Sequence, residues 1–300
     1  MATPRIAAAF MSQEQEYQVL MGEATRKAAR EHGFDIDVFF AGNTAIDQVQ
    51  QLTALLRAPA ELRPAAIVVE TVTGEGLERI ARQAAEAGIA WFLINRRVPY
   101  IDQLRREFPR IPICSVSTDH LEIGRIQGRQ LQTLLAESGT VLYIQGRADT
   151  NAARERLAGT REVLGDTVSL RVYVGEWTHA GGRRVAEGWL RAQTGASSRP
   201  LAVAAQNDLM AKGAREAFLE LRPEWARIPF LGCDGLPQGG QRQVASRQLA
   251  ATVVNPTDAG GRAVALFAGW LKSGTIPPAE ILLRPESFPS MEDLALTGRG

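Results

Sequence analysis

The sequence predicts an α/β fold made of two doubly wound domains. Short apolar runs rich in β-branched residues recur along the chain, and amphipathic stretches with helical spacing separate them. Strands that alternate with helices form parallel sheets through right-handed βαβ crossovers, with helices on both faces. The 300 residues are enough for two domains of about 130 residues each. The irregular stretch 96–112 is the candidate crossing between them.

Nine runs are predicted strands, and each is apolar enough to be buried on both faces of a sheet. In chain order they are 5–10, 36–40, 65–70, 90–94, 140–144, 170–174, 201–205, 228–231 and 250–254.

Helices are predicted between these runs because apolar residues recur there every three or four positions. The first helix is expected to end near Gly33, a residue suited to the C′ position, and the second to begin at Thr44 as N-cap. The apolar faces comprise residues 17, 20, 21, 24 and 28; 46, 49, 52, 55 and 56; 77, 80, 81 and 84; 123, 126, 131, 134 and 135; 209, 210, 217, 218 and 221; and 263, 266, 267, 270 and 271.

Composition and charge exclude several classes of protein. Hydrophobic residues make up 45% of the chain and charged residues 22%, an ordinary globular balance. The formal net charge of +1 provides no bulk field for nucleic acid or an anionic membrane, and no direct membrane insertion is expected. Two cysteines, Cys114 and Cys233, lie in apolar runs and are predicted to be buried free thiols.

Candidate binding residues follow the predicted strands, because ligands of parallel sheets sit beyond the carboxyl ends of the strands. In the first half, Asn95 and Arg96 follow the fourth run, and a polar segment follows the first run, where Ser12 is also a candidate helix cap. From that polar segment the candidates are Ser12, Gln13, Glu16 and Tyr17.

The second half offers further candidates at equivalent places. Arg154 lies in the first turns of a helix, where the macrodipole disfavours a cation, so it needs ligand oxygens or a carboxylate nearby. Trp177 is a candidate to stack on a sugar ring or else to pack in the core. Asp208 is the predicted N-cap of the next helix, which would leave Asn207 to face a ligand. Asp234 and Asn255 follow the last two runs.

Four segments carry a specific resemblance: NAARERLAG (151–159), AQNDLMAKGA (205–214), LGCDG (231–235) and LAATVVNP (249–256). They are similar to those of the type I periplasmic sugar-binding proteins, the ribose-binding family shared with the ligand domains of lactose-repressor-type regulators. The resemblance implies two Rossmann-like lobes with parallel sheets, joined by a three-stranded hinge, that close on a ligand. It implies lobes of residues 1–114 with 249–274 and of 115–248 with 275–300, with crossings near 113–118, 230–248 and 274–278.

The resemblance also assigns roles to individual residues. Arg154 matches the family's ligand-clamping arginine, and Arg96 the arginine of its Asp-Arg pair. Asn207, Asp234 and Asn255 match polar ligand contacts, and Trp177 matches the aromatic residue that caps the sugar ring. Two positions depart from the pattern. Asn95 replaces the aspartate of the Asp-Arg pair, and the segment 13–17 lacks the usual aromatic pair, so an amino, acidic or otherwise modified sugar, or a polyol, remains open as the ligand.

The resulting hypothesis is a non-catalytic solute-binding protein that traps a sugar, modified sugar or polyol between two lobes for uptake by an ABC transporter. The alternative is a ligand-sensing domain of a signalling or regulatory protein, with a membrane sensor as partner.

An enzyme is disfavoured because no dinucleotide or Walker motif is present and none of the three histidines has metal or triad spacing. No cofactor is expected. The expected compartment is the periplasm if a leader has been removed, and the cytoplasm otherwise.

Overall fold

The computed structural model describes residues 3–73, 76–136, 138–166, 168–193 and 199–297. The strands are Arg5–Phe10 (β1), Asp35–Phe40 (β2), Ala66–Val69 (β3), Ala90–Ile94 (β4), Ile113–Thr118 (β5), Gly139–Gln145 (β6), Val168–Val174 (β7), Ala202–Ala205 (β8), Phe230–Leu231 (β9), Thr252–Val254 (β10), Glu280–Leu283 (β11) and Glu286–Phe288 (β12). The helices are Glu16–Glu31 (α1), Ala45–Arg57 (α2), Glu78–Glu86 (α3), Tyr100–Glu107 (α4), His120–Leu134 (α5), Asn151–Leu164 (α6), His179–Ala192 (α7), Asp208–Leu221 (α8), Arg242–Ala245 (α9), Ala259–Ser273 (α10) and Met291–Thr297 (α11).

The chain divides into two compact units. Unit 1 comprises Met1–Thr118 and Pro256–Leu283, and unit 2 comprises Asp119–Asn255 and Arg284–Gly300. The α/β architecture of two doubly wound units confirms the predicted fold class.

Unit 1 contains a six-stranded sheet in the order β11-β5-β4-β3-β1-β2, and every neighbouring pair is parallel. Helix α10, which comes late in the chain, packs on this sheet through Phe267, whose ring lies 6.4 Å from that of Phe92 in β4. The apolar runs of β1, β3 and β4 are buried throughout and form the core together with side chains such as Leu52 and Leu104. The strand order reverses at β1, which places a topological switch point beside the carboxyl ends of β1 and β3.

Unit 2 repeats this topology. Its parallel sheet runs β7-β6-β8-β9, and two isolated parallel bridges, from Leu231 to Ala251 and from Asp234 to Val254, extend it to β10. Strand β12 pairs antiparallel with β10. The core on one face of the sheet includes Met210 and Phe218. The same strand order therefore brings the ends of β6 and β8 to an equivalent switch point.

The nine predicted strands are all present, but two are less buried than expected. Strands β2 and β7 lie at the edges of their sheets, and their burial is partial. An edge strand has a neighbour on one side only, so part of its surface stays in water, and both runs contain a charged residue, Asp37 in β2 and Arg171 in β7.

The predicted domain boundaries differ from the observed division, because pairing between distant strands decides membership. The stretch 96–112 carries helix α4 within unit 1, and the first crossing follows Thr118. Residues 249–255, expected in the first lobe, belong to unit 2, where β10 pairs with β12. Residues 275–283, expected in the second lobe, belong to unit 1, where β11 pairs with β5.

Both cysteines are buried free thiols, as predicted. Among the described residues, no helix has the length and apolar character that crossing a membrane requires.

Candidate functional site

Unit 1 gathers a cluster of buried polar side chains at the carboxyl ends of β1, β3 and β4. Its centre is Glu70, the residue directly after β3, whose side chain is 1% exposed. The Glu70 carboxylate accepts a hydrogen bond of 2.7 Å from Gln18 Nε2 and one of 2.9 Å from Asn95 Nδ2. The Arg96 guanidinium lies 3.1 Å from the same carboxylate. The predicted candidates Asn95 and Arg96 are thus brought together around a carboxylate that was not among the sequence-predicted candidates.

Arg96 is fixed from several sides. One of its guanidinium nitrogens donates to the Asn95 carbonyl at 2.8 Å, and another lies 3.3 Å from the sulfur of Met11. Its own carbonyl accepts a hydrogen bond of 2.6 Å from Ser115. The side chain is 5% exposed, which is rare for an arginine without a built polar environment.

The segment that opens α1 contributes unevenly to this cluster. Ser12 is buried, and its hydroxyl accepts from the Glu14 amide at 3.1 Å. Because α1 begins only at Glu16, Ser12 caps the preceding turn and not the helix. Tyr17 is buried and donates its hydroxyl to the Pro256 carbonyl at 2.9 Å, which ties α1 to the segment after β10. Gln13 and Glu16 are exposed.

In unit 2, the buried arginine is Arg156 and not Arg154. Arg154 is exposed, and its guanidinium donates to the carbonyl of Asp149, in the loop before its own helix, at 2.9 Å. Arg156 is 3% exposed. It donates to the Gln206 carbonyl at 2.5 Å and lies 3.4 Å from Nδ1 of His120.

Close packing of α5 against α6 explains why Arg156 is buried. A Cβ atom on Gly124 of α5 would lie 2.1 Å from the Arg156 carbonyl, and one on Gly159 of α6 would lie 2.1 Å from the Leu121 carbonyl. Only glycine permits this approach of two helix backbones. Arg156 and Gly159 share the buried face of α6, whereas Arg154, two residues before Arg156, is rotated by about 200° away from it.

Trp177 is 7% exposed and lies in the core of unit 2. The Arg156 guanidinium lies over its ring, 5.4 Å from the centroid, a cation–π geometry. Gly146 packs so closely that a Cβ there would lie 2.0 Å from Cε2 of the indole. Core packing, one of the two predicted roles of Trp177, accounts for these contacts, and the indole serves as a platform beneath Arg156.

The prediction that Asp208 caps α8 is wrong. Asn207 is the N-cap, and its side-chain oxygen accepts from the Met210 amide at 2.9 Å while its nitrogen donates to the Trp177 carbonyl at 2.9 Å. Both the oxygen and the nitrogen of the Asn207 side-chain amide therefore have partners within unit 2. Asp208 is buried one position later, where it accepts from the Gly235 amide at 2.8 Å and from the Thr252 hydroxyl at 2.7 Å.

Two negative groups are close together at this end of the sheet. Burial, and next the charge of Asp234, raise the pKa of Asp208 well above its ordinary value of 3.8. Asp234 itself is partly exposed, and its carbonyl accepts from the Asn255 amide at 3.0 Å. Asn255 is buried beside it. The two residues are thus neighbours at the end of β9 and β10, as expected for strand-end positions.

Backbone strain marks the same places. Asn95, Glu176, Trp177 and Asp234 have φ values of 54°, 58°, 68° and 104° and are not glycines. Each follows a strand within a few residues. Residues held at positive φ cost about 1–3 kcal/mol each and concentrate at functional sites, so the strain supports these strand ends as binding positions.

Glu70 and Arg156 were missed, although a signal for each was present. Glu70 is a charged residue that ends an apolar run, so the strand-end rule applied to it as much as to Asn95. Arg156 lies three or four residues from Ala152, Ala153, Gly159 and Thr160, all buried, and helical spacing alone would have placed it on the inner face of α6.

Comparison with known proteins identifies the family. The profile of the periplasmic binding protein domain family matches residues 6–274. The ribose import binding protein of Haemophilus influenzae is 25% identical over 84% of this chain and 80% of that protein. A putative rhizopine-binding protein of Rhizobium meliloti is 27% identical, and the match covers 62% of this chain but only 58% of that protein.

Solved structures agree with this assignment at the level of the fold. The periplasmic binding component of the arabinose ABC transporter from Shewanella sp. ANA-3, bound to L-arabinofuranose, superimposes with a TM-score of 0.82 at 24% identity, covering 98% of this chain and 94% of that one. With its two doubly wound units and a family profile that spans most of its length, this chain belongs to the periplasmic binding protein domain family.

Proposed function

We propose that this chain is a non-catalytic solute-binding protein that takes up a sugar or related polyhydroxylated molecule for import by an ABC transporter. The observation that carries the proposal is a buried arginine in each unit that reaches the end of a parallel strand: Arg96 lies two residues after β4, and the Arg156 guanidinium donates to the Gln206 carbonyl directly after β8. Relatives named for ribose and rhizopine and a fold shared with an arabinose transporter component support it.

The polar groups at these ends suit hydroxyl-bearing ligands. A sugar hydroxyl both donates and accepts, so it pairs well with a carboxylate on one side and a guanidinium on the other. Asp234 and Arg156 supply that combination in unit 2, and Arg96 with Asn95 supplies a guanidinium and an amide in unit 1. We assign these four residues and Asn255 to the ligand.

The chemistry of the site favours binding over catalysis. Burial raises the pKa of Cys114 and of Cys233 to about 12, so both thiols stay protonated and are poor nucleophiles. His179 is paired with Glu216 at 2.8 Å on the outside of α7 and α8. The family of periplasmic binding proteins supports the periplasm as the compartment that we propose, with a transporter permease as the partner.

The test is thermal unfolding in the presence of single compounds, after unfolding and refolding to remove any ligand carried through purification. The panel comprises D-ribose, D-allose, L-arabinose, myo-inositol, an amino sugar, a sugar acid and a small amino acid. A compound at 100 times its Kd stabilises the folded state by about 2.7 kcal/mol, which raises Tm by a few degrees.

Asp234→Asn is the matched control, because it keeps the side-chain shape but loses the charge and one acceptor. We expect one or a few related polyhydroxylated compounds to stabilise the wild type and the variant to lose most of that response. A refolded, cooperatively unfolding wild type that responds to no sugar or polyol would contradict the proposal. A response to the amino acid alone would contradict the substrate class.

A further inference from the structure

Glu70 is a buried carboxylate whose oxygens accept from three side chains. Gln18 Nε2 donates to Oε2 at 2.7 Å, Asn95 Nδ2 donates to Oε1 at 2.9 Å, and the Arg96 guanidinium lies 3.1 Å from Oε1. The carbonyl of Glu70 also accepts from Gln48 at 2.8 Å. Helix α1 and strands β3 and β4 are thereby linked through this one residue.

Only a carboxylate satisfies this set of donors. It accepts on both oxygens, whereas a glutamine at residue 70 would turn an NH₂ group toward Gln18 on one side or toward Asn95 and Arg96 on the other. The negative charge matters as well, because Arg96 is 5% exposed and a buried guanidinium without a counter-charge is strongly unfavourable.

The hydrogen bond to Glu70 also orients Asn95. Its Nδ2 is directed at the carboxylate, so its Oδ1 occupies the other side of the amide, and the backbone at this residue is held at a φ of 54°. The orientation follows from the chemistry of the acceptor, since a carboxylate oxygen cannot face an amide oxygen.

We propose that Glu70 is the positioning residue that holds Arg96 and the Asn95 amide in their ligand-binding orientation. The carboxylate that the family pattern has at residue 95 is here supplied by the neighbouring strand, at the end of β3. The inference rests on the proposed function for its ligand, but the arrangement of Arg96 around Glu70 is a property of the ligand-free protein and is testable without one.

Three variants test it: Glu70→Gln, the double variant Glu70→Gln with Asn95→Asp, and Glu86→Gln as control on the exposed face of α3. In the double variant, the glutamine introduced at residue 70 donates its amide to the new carboxylate at residue 95, so the negative charge returns beside Arg96 from the adjacent strand. The negative charge beside Arg96 is therefore restored, now on residue 95 instead of residue 70.

The first readout is ligand-free NMR of the arginine guanidinium groups, with the Arg96 signals assigned from Arg96→Lys. We expect slowly exchanging Arg96 signals in the wild type and in Glu86→Gln, their loss in Glu70→Gln, and their return in the double variant. The second readout is calorimetric titration with D-ribose and with myo-inositol. Glu70→Gln should weaken binding about 10- to 150-fold, the equivalent of one charge-assisted hydrogen bond, while Glu86→Gln should stay within about threefold of the wild type. The double variant is compared by NMR alone, because Asn95 is itself assigned to the ligand.

Wild-type Arg96 signals and wild-type affinity in Glu70→Gln would overturn the inference. If Glu70→Gln does not fold, the double variant decides: a folded protein with restored Arg96 signals supports the role, and a folded protein without them contradicts it. Failure of the wild type to bind either probe counts against the proposed function, while the NMR comparison still tests Glu70.

Discussion

Replacing Arg156 by lysine should weaken ligand binding strongly, whereas the same change at Arg154, two residues earlier on the same helix, should not. Arg156 uses separate guanidinium nitrogens toward the Gln206 carbonyl, 2.5 Å away, and His120, 3.4 Å away, and it lies over the Trp177 ring. A lysine keeps the charge but has a single nitrogen, so it cannot reproduce this fork and also reach a ligand.

The magnitude follows from the hydrogen bonds that a lysine cannot make. One charge-assisted hydrogen bond contributes about 1.5–3 kcal/mol, which corresponds to an increase in Kd of roughly 10- to 150-fold for Arg156→Lys. The same variant should lose about 1–3 kcal/mol of unfolding free energy, because the buried Gln206 carbonyl is left without its partner. Arg154→Lys removes only exposed hydrogen bonds to its own loop, so its Kd should stay within about twofold of the wild type.

The assay is calorimetric titration of both variants with the compound that most stabilises the wild type, together with urea unfolding of the free proteins. The reasoning would be refuted if Arg154→Lys lost affinity while Arg156→Lys kept it. That outcome would restore the ligand-clamping role to Arg154, as the family resemblance first suggested.

Two further predictions concern the framework of unit 2. Gly146→Ala should destabilise the protein by about 1–3 kcal/mol and alter its tryptophan fluorescence, because the added Cβ would lie 2.0 Å from the Trp177 indole; unchanged fluorescence and stability would contradict this. Asp208→Asn should gain stability relative to the wild type as pH rises above 3.8. Folding raises the pKa of Asp208, so above that pH the folded wild type binds a proton that the unfolded chain has released, and its unfolding free energy falls with rising pH, whereas asparagine does not titrate. Urea unfolding from about pH 4 to 8 measures this difference, and a constant difference would be inconsistent with it.

Much of the fold was predictable because strands in this chain are short, apolar and separated by regular helices. The local sequence pattern does not show which strands pair with each other in the sheets. The edge strands β2 and β7 contain the charged residues Asp37 and Arg171 within otherwise apolar runs, a local sign of an exposed face, but the sequence does not show which strand pairs beside them. Strands β11 and β12 each begin with a glutamate and are only partly buried, so they lack the apolar run that marks the other strands, and their pairing with distant strands moved the domain boundaries.

The candidate site likewise has some features that the sequence predicts and others that depend on tertiary contacts. The strand-end positions of Asn95, Arg96 and Asp234 could be predicted because the carboxyl end of an apolar run is visible in the sequence. The choice between Arg154 and Arg156 depends on which face of α6 meets α5, and the capping of α8 by Asn207 depends on Asp208 finding partners in later segments. These outcomes arise from tertiary contacts that override local preference. The ligand roles of all these residues stay predictions, including those of the exposed Gln13 and Glu16.

The route of the chain through the two units constrains how the protein is made. Unit 1 lacks its helix α10 and its strand β11 until residue 283 has left the ribosome, by which time nearly all of unit 2 has been synthesised. Before then, the face of the sheet that Phe267 covers is open to water and β5 has an unpaired edge. Unit 2 can therefore assemble most of its sheet before unit 1 is complete. A chain that has been synthesised only to Thr118 exposes apolar surface and an unpaired strand edge, the two features that make folding intermediates prone to aggregate.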